Sequence, residues 1–128
     1  MSGRPPGSST ATAPDRMLRE FFLGFIKIHI LHHAAEDHVY GLALIAELRR
    51  HGYELSPGTL YPVLHHLERT GYLARIDRVV EGRVRKYYTI TRSGTVALAE
   101  VREKVGELLE ELLEARRPPA RRRRRVTT

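Results

Sequence analysis

The stretch Ser56-Pro57-Gly58-Thr59-Leu60-Tyr61-Pro62-Val63-Leu64-His65-His66-Leu67-Glu68-Arg69-Thr70-Gly71-Tyr72 decides how the rest of the chain is read. Leu60, Val63, Leu64 and Leu67 recur at steps of three, one and three, which lines them along one side of a helix and predicts that side buried. Ser56 before Pro57 marks the start. A serine hydroxyl accepts from an otherwise orphaned backbone N–H, and proline at the first position gives up no helical bond. Gly71 stops the helix. The opposite face carries Gly58, Pro62, His65 and Arg69, flanked by Tyr61 and His66, with Glu68 at its margin as the one acid. Pro62 lacks an N–H, so the Gly58 carbonyl is left free or the first turn is kinked. Small residues at a helix N-terminus allow the backbone to approach a phosphate, where free N–H groups and the helix dipole favour negative charge. By itself the segment is equally an amphipathic helix with a polar outside, and its neighbours decide between the two.

Upstream, Tyr40 to Arg50 reads as a second helix with Leu44, Ile45 and Leu48 on its buried face. Arg49, Arg50, His51 and Gly52 close it, and Asp37, in the polar break Glu36-Asp37-His38, is its candidate cap. Only Tyr53-Glu54-Leu55 separates it from the helix at Ser56. Two short helices joined by so short a turn, the second polar outside, form a helix-turn-helix pattern. Further upstream, Met17 to Leu31 is apolar most of the way round, with Phe21, Phe22, Phe25, Ile26, Ile28 and Ile30. Such a helix requires cover on more than one side, and in a small chain the second cover is expected from another subunit.

Downstream the period changes from helical to alternating. Tyr72 to Val80 and Arg83 to Ile90 are rich in β-branched and aromatic residues, and Glu81-Gly82 supplies the positive-φ position of a tight hairpin. Arg78, Arg83, Arg85 and Lys86 gather near its tip, where arginine suits a DNA backbone or a minor groove. The alternative is that they only solubilise a sheet edge. Thr91 then caps a long last helix in which Leu98, Val101, Val105, Leu108, Leu112 and Ala115 recur at heptad steps. Its flanks are acidic, so it is expected to meet another helix rather than DNA. Pairing it with the phenylalanines of the first helix makes a two-fold dimer the simplest arrangement. Gly106 weakens this helix locally.

The chain has 128 residues and a net charge of +7. Seven arginines in 116–125 account for all of that excess, since the remainder holds 15 basic and 15 acidic groups. Charge is nevertheless segregated: residues 69–92 carry seven basic groups and two acids, and residues 93–115 carry two basic groups and six acids. Residues 1–15 read as a disordered arm and 116–128 as a disordered arginine-rich tail that adds sequence-independent DNA affinity, which leaves 16–115 as the folded domain. The absence of cysteine excludes disulfides, thiolate metal sites and a cysteine nucleophile. No apolar run is long enough to span a membrane, and cytoplasmic residence is expected. No acid/base or nucleophile constellation is present, so an enzyme is disfavoured. Seven histidines raise a metal question: His29 and His33 share a helical face, with His32 or His38 near, but with no clear third carboxylate no metal or other cofactor is expected.

The run Ser56-Pro57-Gly58-Thr59-Leu60-Tyr61-Pro62 through Leu64, Leu67-Glu68 and Gly71, then Lys86-Tyr87-Tyr88, Ile90-Thr91 and Gly94, resembles the PadR family of bacterial transcriptional regulators. Tyr40-Gly41 and the aromatic first helix fit as well, so the resemblance covers about residues 17–114. It implies a mainly α protein with a small β-hairpin: a winged helix-turn-helix with an N-terminal helix and a single C-terminal dimerisation helix. It implies a homodimeric repressor of double-stranded DNA, sensitive to a small aromatic or drug-like effector at the dimer interface. On that reading Ser56, Gly58, Thr59, Tyr61, Pro62, His65 and Arg69 face DNA from the recognition helix, joined by Arg78, Arg83, Arg85 and Lys86 from the wing. Phe21, Phe22, Phe25, Leu98, Val101, Val105, Leu108 and Leu112 form the dimer interface. His66, Asp77 and Val39 depart from the family's common residues at their positions. A winged helix that binds protein instead of DNA, and a metal-responsive regulator using His29 and His33, are the alternatives.

Overall fold

The computed structural model describes residues 13–116. In chain order the elements are α1 (Ala13–Glu36), β1 (Val39–Tyr40), α2 (Gly41–Arg50), α3 (Pro57–Arg69), β2 (Leu73–Val80), β3 (Arg83–Ile90) and α4 (Arg92–Ala115). The remainder of the proposed arm and the arginine run beyond Arg116 lie outside the described residues. α1 begins at Ala13, ahead of residue 16 where the folded domain was expected to start.

The core is assembled from every helix and from the sheet. Ile26, Ile30, Leu31 and Ala34 of α1 meet Leu44, Ile45 and Leu48 of α2, the four expected residues of α3, and Leu73 and Tyr88 of the sheet. Leu60 and Leu64 are fully buried, and Val63 and Leu67 nearly so. The spacing that opened the sequence reading therefore marks the buried stripe of α3.

Local chemistry fixes where the helices stop and start. α2 and α3 end in the same motif: Gly52 donates to the Arg49 carbonyl and Tyr53 to Leu48, while Gly71 donates to Glu68 and Tyr72 to Leu67. Gly52 and Gly71 sit at φ +91 and +89, the left-handed turn this double bond requires and that glycine adopts without a Cβ penalty. The Ser56 hydroxyl accepts from the Thr59 N–H at 3.3 Å, the cap its position predicted. Thr91 caps α4 in the same way, accepting from Gly94 N–H at 3.0 Å, and its hydroxyl also donates to the Gly71 carbonyl at 2.6 Å. One threonine thus joins the end of α3 to the start of α4.

Three expectations need correction. Asp37 does not cap α2: the N-cap residue is Tyr40, without a side-chain bond, and the Asp37 carboxylate accepts from its neighbour His38 N–H. Tyr40 is not the start of the second helix but forms, with Val39, a short strand that pairs Val39 with Tyr88 and Tyr40 with Tyr87. The expected hairpin of β2 and β3 forms, and β1 joins it to give a three-stranded sheet in the order β1-β3-β2. Tyr72 stays outside β2 because its N–H closes α3.

Candidate nucleic-acid interface

The exposed face of α3 presents Pro57, Gly58, Pro62, His65, His66 and Arg69, with Ser56 exposed just before it. α3 runs unbroken through Pro62, so of the two outcomes expected there the helix continues and the proline removes one bond. Thr59 is half-buried. Tyr61 is half-buried too and packs against the core. Its hydroxyl end lies over Gly41, where a Cβ would approach within 2.2 Å. Tyr61 thus has a structural duty, docking α3 on the start of α2, in addition to its ring edge beside His65.

The wing sorts its cations by register. Arg78 pairs across the hairpin with Arg85, Val80 with Arg83, and Asp77 with Lys86. Directly paired residues share a face and neighbours alternate, so Arg78, Arg83 and Arg85 lie on one face and Lys86 on the other, opposite Asp77. The four expected wing residues are therefore three plus one. Asp77 also pairs with Arg75 at 3.4 Å, so the one acid on the two strands sits on the Lys86 side, with Glu81 in the turn between them.

Like charges directly opposite each other repel. Here Arg85 lies over the Tyr40 ring at 4.4 Å and Arg78 over the Tyr87 ring at 5.5 Å, and Arg85 also donates to the Tyr87 hydroxyl at 3.5 Å. The aromatic faces hold the guanidiniums in place without neutralising them. Among the described residues, none of Arg69, Arg78, Arg83 and Arg85 has a carboxylate partner. Sequence reading missed Tyr40 as a platform. It lies far from the wing in the chain, and only the pairing of β1 with β3 brings it under Arg85.

The expected dimer residues divide in two. Leu98 is 2% exposed and closes the protomer's own core, a correction to its place in the seam, and Val101 is half-buried. Beyond them Val105, Leu108 and Leu112 lie open, at 55% for Leu112, as do Phe21, Phe22 and Phe25 on α1. Two clefts border this surface. One of about 560 Å³ is lined by Leu18, Phe22, Leu23, Ile26, Tyr53 and Leu55 among others, and one of about 360 Å³ lies between Phe25, Ile28 and His29 on one side and Leu98, Arg102 and Val105 on the other. Among the described residues no helix is long and apolar enough to cross a membrane.

A short helix pair with a polar outer face on the second helix, followed by a hairpin with cations on one face, defines a winged helix-turn-helix. The chain belongs to the transcriptional regulator PadR-like family, which it matches over residues 30–100. It is 51% identical over 96 residues to the transcriptional regulator Rv3488 of Mycobacterium tuberculosis, spanning 75% of this chain and 90% of that protein. Among solved structures, a PadR-like transcriptional regulator from Bacillus cereus superposes with a TM-score of 0.71 at 26% identity, covering 77% of this chain and 98% of that one. A PadR family regulator from Eggerthella lenta does so at 0.63 and 29% identity, covering 82% and 96%. The family is one of transcriptional regulators and not an enzyme class.

Proposed function

We propose that the chain is a cytoplasmic, homodimeric repressor that sets α3 into the major groove of double-stranded DNA and lays the Arg78, Arg83 and Arg85 face of the wing on the adjoining backbone or minor groove. The observation that carries this reading is the wing face itself: three guanidiniums on one side of a hairpin, two of them, Arg78 and Arg85, laid over tyrosine rings, and none ion-paired to a carboxylate among the described residues. A polyanion is the partner that such a face fits. On α3, Ser56, Gly58, Thr59 and Pro62 bring the helix start near phosphate, while His65 and Arg69 reach base edges or the neighbouring strand. The exposed stripes of α1 and α4 serve as the interface between two copies, at Phe21, Phe22, Phe25, Val105, Leu108 and Leu112. The two clefts, lined by Phe22 and Phe25, suit a small aromatic effector that alters the pairing and releases DNA.

The test is fluorescence-anisotropy binding to the duplex upstream of the protein's own coding sequence and to a scrambled duplex, at two salt concentrations. Wild type is expected to prefer the first duplex. Arg83→Ala with Arg85→Ala should weaken both complexes and lower the salt slope by about 2, since each lost phosphate contact removes roughly 0.9. Unchanged binding in the double variant would favour a protein-binding winged helix.

A further inference from the structure

The α1 face that carries His29 and His33 meets the end of α2, and there the fold adds a third imidazole. His51, the residue that closes α2, stacks on His29 with ring centroids 4.8 Å apart. One ring nitrogen from each of His29, His33 and His51 falls within 4.8 Å of the others. A carboxylate stands beside two of them: one Glu47 oxygen lies 3.8 Å from His33 Nε2 and 3.6 Å from His51 Nε2. Its other oxygen accepts from Arg50. The sequence reading looked for further ligands in His32 or His38, close by in the chain, because Glu47 on α2 and His51 at its end come to His29 and His33 only through the packing of α2 on α1.

We propose that His29, His33 and His51, with Glu47 as fourth ligand, form a binding site for a divalent late first-row transition metal, for which Zn²⁺ is the probe. Three neutral imidazoles and a carboxylate are a donor set for such ions, and not for calcium or magnesium, which prefer oxygen. Nitrogens bound to a tetrahedral zinc at about 2.0–2.1 Å lie roughly 3.4 Å apart, so the rings need only draw inward by small side-chain rotations. His33 Nε2 supplies a separate reason. It is shielded from solvent and makes no hydrogen bond among the described residues. A buried polar nitrogen without a partner is costly, and a metal would engage its lone pair.

The neighbouring group of His32, His33 and Glu36 is the weaker site. His32 lies 3.2 Å from the Arg102 guanidinium through Nδ1 and 3.5 Å from Glu36 through Nε2, so both of its nitrogens have partners and a cation stands beside it. Two of the proposed ligands lie on α1, Glu47 lies on α2 and His51 at the turn leading to α3. An ion there would fasten the helix-turn-helix to the long first helix.

The experiment is calorimetric titration of the untagged, chelator-stripped full chain with Zn²⁺, read without DNA so that its outcome is independent of the repressor reading. One ion per chain is expected, with a raised thermal unfolding midpoint. His51→Ala and His33→Ala should each weaken binding at least about 100-fold, and Glu47→Gln about 10- to 100-fold. His32→Ala and His65→Ala with His66→Ala should bind as wild type does. Because His51 is exposed, its variant keeps the fold, which circular dichroism and a second substitution, His51→Gln, would check. No uptake by wild type at micromolar Zn²⁺, wild-type affinity in a folded His51 variant, or loss of binding in His32→Ala would each overturn the site.

Discussion

The two ends of the molecule solve burial differently. Around α3 the chain is self-sufficient: the apolar stripe is covered, both helix ends are capped, and Gly71 is tied to α4 through Thr91. Along the first turns of α1 and the last turns of α4 apolar side chains are also present but uncovered, from Met17 and Phe21 to Leu112 and Leu113. The reading head is thus finished within one protomer. The arms carry an apolar surface that a single copy leaves open, and surfaces of that kind mark association.

Substitutions can break or sharpen this contrast. The largest expected effect is at the closed end. Leu60→Ala should cost about 2–5 kcal/mol in urea unfolding, because a fully buried leucine leaves a cavity, whereas an alanine at exposed Leu112 should cost the lone protomer under about 0.5 kcal/mol. Loss of the Ser56 cap is next: Ser56→Ala should destabilise by about 1 kcal/mol, measured the same way, with Ser56→Asp restoring most of it. The smallest effect is expected where the closed end is imperfect. Tyr88 is fully buried, yet its hydroxyl has no hydrogen-bond partner among the described residues, and burial pushes its pKa up. Tyr88→Phe should therefore change stability by less than about 0.5 kcal/mol or raise it, since it removes an unsatisfied polar group.

The contrast also explains what was legible in the sequence. Caps, helix stops and the α3 stripe depend on residues within a few positions of one another, so Ser56, Thr91, Gly52 and Gly71 could be read directly. The alternation that separates Lys86 from Arg83 and Arg85 was readable too, from their odd and even positions, but charge clustering masked it. What stayed hidden depends on contacts between distant segments. The heptad in α4 contained no sign that Leu98 turns into the protomer while Leu108 and Leu112 turn out. Two residues, Val39 and Tyr40, are too few to show a period, and only pairing with β3 makes them a strand beneath Arg85. His51 joins His29 and His33 only through the packing of α2 on α1.

The central claim is that a finished reading head is carried by arms that pair two copies. Sedimentation equilibrium tests it most directly, run on wild type and on Leu108→Glu with Leu112→Glu. The account predicts twice the protomer mass for wild type at micromolar concentration, and a folded single protomer for the double variant with its helical circular dichroism retained. Wild type that sediments as a single protomer at every concentration, or a double variant that remains paired, would contradict it.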